Sequence, residues 1–152
     1  CADICKVSGI PLCADGGIRY GGDIAKAIAA GADTVMIGNL FAGTDESPGE
    51  RIMFSGMVYK PYEGEGSLSA RLHRRTLSHD RYPEDETFVP EGIESRVPLR
   101  GSVDQVVQQL LAQLRKSMVY VGAVTIAELK QQELVQLTAA AQKQLGIHDV
   151  VV

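Results

Sequence analysis

The stretch Ile10-Pro11-Leu12-Cys13-Ala14-Asp15-Gly16-Gly17, answered further on by Thr34-Val35-Met36-Ile37-Gly38, decides the fold. Each is a short apolar run of the kind a buried parallel strand shows, and each stops on glycine. Pro11 is tolerable only near the first position of such a strand, because it has no N–H to give to a ladder. Between the two runs, Asp23 through Ala30 carries Ile24, Ala27 and Ile28 at helical spacing, with Gly31 as the stop. Strand, glycine turn, helix, strand, glycine turn is the grammar of a parallel α/β sheet or barrel.

Upstream, residues 1–8 read as the end of a helix closed by Gly9, the residue that adopts the left-handed cap conformation at least cost. The chain opens on Cys1-Ala2-Asp3-Ile4 without a Met, as the interior of a helix would, and the expectation is a fragment. Downstream the pattern breaks. Glycines and prolines recur from Gly43 to Pro98 so densely that long regular elements are excluded. Within that region Arg51 to Tyr59 predicts a small hairpin turning at Ser55-Gly56. A nonrepetitive stretch this long inside a compact domain points to a lid or binding loop. Order returns at Ser102, whose pairing with Gln105 is a capping box opening a helix with the stripe Val103, Val106, Val107, Leu110, Leu111 and Leu114. Thr125 and Glu128 repeat the device for a shorter helix, and Leu134 to Leu137 is read as a strand.

Composition narrows the function classes. With 152 residues and 45% hydrophobic content the chain can bury one ordinary core, so one domain or part of one is expected. No run approaches the roughly 18 apolar residues of a membrane span. The net charge of -4 gives no general case for nucleic acid, and a small-molecule partner is favoured. Cys1, Cys5 and Cys13 have no CxxC spacing and follow no secretory signal, which fits a cytoplasmic protein. His73, His79 and His148 are not spaced as a metal pair, and no metal ligands are assigned.

Three glycine turns are candidates for holding a phosphate. Asp15-Gly16-Gly17 ends the first strand, where glycines let backbone N–H groups approach an anion and the Asp can accept bonds from ribose hydroxyls. Gly38-Asn39 occupies the equivalent place after the second. In a (β/α)₈ barrel, phosphate is commonly held by the loops after the last two strands. Tyr62-Glu63-Gly64-Glu65-Gly66-Ser67 adds more exposed donors and a phenol. On spacing alone the first two are compatible with plain tight turns, and the third loop strengthens the phosphate reading.

The run from Ala14 to Ala27 resembles the signature of IMP dehydrogenase around its seventh barrel strand, and Val35 to Glu46 resembles the strand and loop that follow. The similarity continues through Tyr62 to Ser67, Asp80-Arg81-Tyr82, Val89 to Glu94, and Tyr120-Val121-Gly122-Ala123. The resemblance implies the C-terminal portion of a (β/α)₈ barrel with a long inserted flap, in three parts. Residues 1–42 would be the last barrel βα units, 43–100 the hairpin, nucleotide loop and catalytic flap, and 101–152 the C-terminal helices and strand. It implies NAD-dependent oxidation of IMP to XMP through a thioimidate on a cysteine, in a homotetramer that uses a monovalent cation such as potassium.

Carried onto this chain, the resemblance assigns Asp15 to the ribose, and Gly16, Gly17, Gly38, Asn39 and Tyr62 to the phosphate. Glu63 joins them as a substrate-binding position. Gly64, Glu65 and Gly66 fall against the base, and Glu91 on its edge. Arg81 and Tyr82 would be the hydrolytic dyad, with Arg81 activating water. The chain also departs from the family. The nucleophile loop lies upstream of residue 1, so the three cysteines are read as packing residues. Asn39 stands for a serine, Glu63 and Glu65 stand where Arg and Met are usual, and Pro83 follows the dyad in place of an aromatic. The two carboxylates should weaken affinity for a dianion. GMP reductase shares the barrel and phosphate loops but lacks the Asp-Arg-Tyr flap. A catalytically inactive nucleotide-binding relative is the third reading, and half a barrel is expected not to fold stably alone.

Overall fold

The computed structural model describes residues 1–64, 66–74, 92 and 94–144. The chain is a mixed α/β structure with two small sheets joined by helices. Helix α1 (Ala2–Ser8) ends on Gly9 at φ 65, as the left-handed cap requires. Strand β1 (Cys13–Asp15) pairs in parallel with β2 (Thr34–Met36) in the register Cys13↔Thr34, Ala14↔Val35, Asp15↔Met36. Between them lies α2 (Gly21–Ala29). It begins two residues earlier than the apolar spacing predicts, because the Asp23 carboxylate accepts bonds from the Arg19 and Tyr20 N–H groups at 3.0 and 3.1 Å and fixes the first turn there.

The parallel strands are not buried as their apolar character predicts. Cys13 and Met36 are exposed, Met36 at 55%, because this sheet has only two strands and little covers its faces. The core sits behind it. Helix α5 (Val103–Tyr120) crosses α2 and the short α3 (Asn39–Ala42), and places Leu114 with Ala25, Ile28, Ala123 and Leu129 in one cluster and Val106 and Leu110 with Leu40 in another. The stripe predicted for α5 is the face that does this, although its flanks Val103 and Leu111 stay at the surface. Its start carries the reciprocal Ser102–Gln105 bonds, both 3.3 Å, and Glu46 accepts from the Val103 N–H at 2.8 Å. Helix α6 (Ile126–Leu129) is capped by Thr125, whose Oγ1 accepts from the Glu128 N–H at 3.2 Å.

The second sheet is antiparallel, in the order β3 (Ile52–Phe54), β4 (Met57–Glu63), β5 (Glu94–Pro98). Its hairpin turns at Ser55 and Gly56, φ 50 and 78, the paired left-handed conformations a two-residue loop needs. Strand β4 runs past the predicted end at Tyr59 because β5 pairs it from Tyr59↔Pro98 to Glu63↔Glu94. Helix α4 (Leu68–Arg74) follows the glycine-rich loop after β4, with Ser67 Oγ accepting from the Ala70 N–H at 3.2 Å.

One predicted element is absent. Residues 134–137 form no strand: Leu134, Val135 and Leu137 are 55%, 81% and 48% exposed, and no neighbouring strand offers them a ladder. The chain instead enters α7 (Ala139–Gln144), whose first turn is held by the Ala141 N–H bond to Thr138 Oγ1 at 3.2 Å. Among the described residues the C-terminal part is therefore helical. No helix there is long and apolar enough to cross a membrane.

Candidate functional site

A cleft of about 1320 Å³ opens at the carboxyl ends of β1 and β2. Its first wall is the turn Asp15, Gly16, Gly17, with Ile18 and Arg19 behind it. Met36 to Asn39 make the second wall, and Pro61 to Gly64 at the end of β4 the third. Gly16 and Gly17 have φ of 85 and 77, and a Cβ on either would meet nothing within 4 Å. Backbone conformation, rather than crowding, demands glycine at this turn.

The β2 turn and the β4 loop meet at Tyr62, whose Oη lies 3.6 Å from where a Gly38 Cβ would stand. Helix α3 starts at this point, and no side chain caps its N-terminus. The longer α2 is different. Asp23 occupies the Arg19 and Tyr20 N–H groups, and Gln113 Oε1 accepts from the Gly21 N–H at 2.7 Å. Those donors at the start of α2 are committed to the protein itself, which leaves the glycine turns and the start of α3 as the candidate anion donors beside the cleft.

Eight of the residues singled out from sequence line this one cleft: Asp15, Gly16, Gly17, Gly38, Asn39, Tyr62, Glu63 and Gly64. Gly66 lies just beyond, against Gly92, where a Cβ on Gly92 would come within 2.6 Å of the Gly66 carbonyl carbon and 2.9 Å of the Gly64 oxygen. The return of the chain at residue 92 is thus seated on the glycine-rich loop after β4. Glu65, Arg81, Tyr82 and Glu91 lie outside the described residues, as does Pro83. Cys1, Cys5 and Cys13 are not among the residues lining the cleft.

Sequence reading passed over two contributors. Ser47, Pro48 and Gly49 form a fourth wall, and Arg19 brings a guanidinium. The Pro48-Gly49 pair was legible only as a breaker. Arg19 follows the glycine turn directly, and that adjacency was the available signal. Among the described residues, the charged ones lining the cleft are Asp15, Glu63 and Arg19.

The geometry fits a small ligand with an anionic end among glycine turns and a hydroxylated part beside a carboxylate. The family profile described as IMP dehydrogenase / GMP reductase domain matches residues 1–148. Inosine-5'-monophosphate dehydrogenase of Chlorobaculum tepidum is 50% identical over 158 residues, covering 100% of this chain and 32% of that protein. Its namesake from Aquifex aeolicus is 54% identical over 144 residues, covering 93% of this chain and 29% of that protein. Among solved structures, the C318A variant of Trypanosoma brucei GMP reductase in complex with guanosine 5'-monophosphate superposes with a TM-score of 0.86 at 41% identity, over 99% of this chain and 30% of that one. The chain spans about a third of the length of the relatives it matches. It belongs to the IMP dehydrogenase / GMP reductase family.

Proposed function

We propose that this chain is the nucleotide-phosphate and flap portion of an IMP dehydrogenase, an oxidoreductase of guanine nucleotide synthesis that converts IMP to XMP with NAD. The convergence of Asp15-Gly16-Gly17, Gly38-Asn39 and Tyr62-Glu63-Gly64 on one cleft carries this reading. The phosphate sits among the turns, the ribose hydroxyls donate to Asp15, and the base lies along Gly64 to Gly66, with Glu91 on its edge. Arg81 and Tyr82, on the segment between α4 and β5, supply the hydrolytic step.

The cleft accounts for a nucleoside monophosphate. NAD, which accepts the hydride when bound, and the cysteine nucleophile are assigned to parts of the protein other than this cleft, as is the potassium-type cation. In this proposal residues 1–42 are the last units of a (β/α)₈ barrel, 43–100 the binding loop and flap, and 101–152 the C-terminal cover. The working enzyme is a cytoplasmic homotetramer.

GMP reductase is the second reading, favoured by the similarity to the trypanosomal enzyme. The two separate in one assay of the intact protein. IMP with NAD should yield NADH and XMP. Consumption of NADPH with GMP, and no XMP, would replace the first reading with the second.

A further inference from the structure

We infer that Lys60 is a positioning residue of the nucleotide site, which holds the Ser47–Gly49 wall in place and puts a buried positive charge behind it for a dianionic phosphate monoester. The inference rests on the phosphate reading of the cleft.

Lys60 is 4% exposed, in the middle of β4. Lysine is almost never so buried without a partner, since desolvating its charge is costly and an apolar side chain of the same volume would fill the place at no such cost. Its Nζ donates to the Gly49 carbonyl at 2.6 Å. The ion pairs among the described residues are Lys26–Asp23, Arg51–Asp45 and Lys130–Asp33, and none of them uses Lys60. Gly49 lines the cleft, has φ +91, and sits so tightly on Pro61 that a Cβ there would overlap the ring. The lysine therefore grips the cleft wall from behind at a point where the wall is already locked onto β4.

Strand alternation puts Lys60 on the same face of β4 as Tyr62, which lines the cleft. A buried cation behind the wall, shielded from solvent, acts on an entering dianion with little screening.

The test compares binding of IMP and of inosine, its counterpart without phosphate, to the intact protein by calorimetry. Lys60→Met keeps the volume and removes the charge. It should weaken IMP by about 10-fold or more while leaving inosine within about 2-fold. Lys60→Arg keeps the charge and should hold IMP within about 3-fold. Unchanged IMP binding by Lys60→Met, or equal loss of both ligands, overturns the inference. If Lys60→Met does not fold, Lys60→Arg carries the test, and a loss of IMP affinity beyond about 10-fold overturns it there. Wild-type protein that is folded but binds no IMP overturns the phosphate reading itself, a different result from any of these.

Discussion

The Gly21 N–H donates to the side-chain oxygen of Gln113, 92 residues away, at 2.7 Å. At the same point the backbones of α2 and α5 come so close that a Cβ on Gly21 would lie 2.5 Å from the Gln113 Cβ and 2.6 Å from the Leu110 carbonyl oxygen. Gly21→Ala should therefore destabilise the intact protein by about 1–3 kcal/mol, the usual cost of overpacking a tight contact. Gln113→Ala should cost about 1 kcal/mol for the lost bond. Urea unfolding measures both, and a Gly21→Ala protein within about 0.5 kcal/mol of wild type would show that the helices separate freely.

Glu63 faces the cleft in which a phosphate is proposed to bind. Glu63→Gln removes the negative charge with little change in size, so IMP affinity should rise about 3- to 10-fold by relief of like-charge repulsion. Inosine should bind as before. A fall in IMP affinity would mean that the carboxylate serves the ligand rather than opposing it.

Arg81→Ala, in the proposed enzyme, separates the two chemical steps. The first equivalent of NADH should form at close to the normal rate, while steady-state XMP formation drops by about 100-fold or more, the usual scale for removing a general base. Rapid-mixing kinetics reads both steps. Equal slowing of the two would remove Arg81 from the hydrolytic role.

Asp33, Glu94 and Glu128 titrate below the ordinary values of 3.8 for Asp and 4.5 for Glu. Asp33 is held down first by its bond from Lys130 and next by the Leu12 N–H. For Glu94 the Ser69 N–H comes first, and for Glu128 the Val124 N–H. A carboxylate depressed by folding contributes its stability above the unfolded value and loses it as pH falls through the folded one. Tm should hold steady from about pH 7 to 5.5 and then fall below about pH 4.5, and Asp33→Asn should remove part of that fall. A superimposable acid transition in Asp33→Asn would show that the Lys130 bridge adds nothing.

Gly92 tests how the loop after β4 is held in place. A side chain there would overlap the Ser67 nitrogen. Gly92→Ala should push Gly64, Gly66 and Ser67 out of place and raise the KM for IMP at least several-fold. An unchanged KM would mean the loop is positioned from β4 alone.

What the sequence made legible was whatever depends on local chemistry. Glycine-ended apolar runs marked β1 and β2, Ser102–Gln105 and Thr125–Glu128 marked two helix starts, and Ser55-Gly56 marked the hairpin. The turns named as phosphate candidates do meet at one cleft. Nonlocal partnerships escaped. Strand β5 pairs β4 across the whole 64–93 stretch, so nothing near Glu94 announces it, and β4 overran its predicted end for the same reason. Leu134 to Leu137 has strand character but no partner, and strand character without a ladder yields no strand. The Ser47–Gly49 wall and the buried Lys60 behind it are likewise set by distant chain segments. Arg81, Tyr82, Glu65 and Glu91 rest on resemblance.

The cleft draws its walls from four separate chain segments, and the two sheets that carry them share no strand. A nucleotide seated there would touch both, so it would act as a rivet as well as a substrate. Occupied at about 100 times its Kd, such a ligand adds about 2.7 kcal/mol to folding. In a cell, the fraction of this protein that survives to be counted would then rise and fall with the nucleotide pool itself.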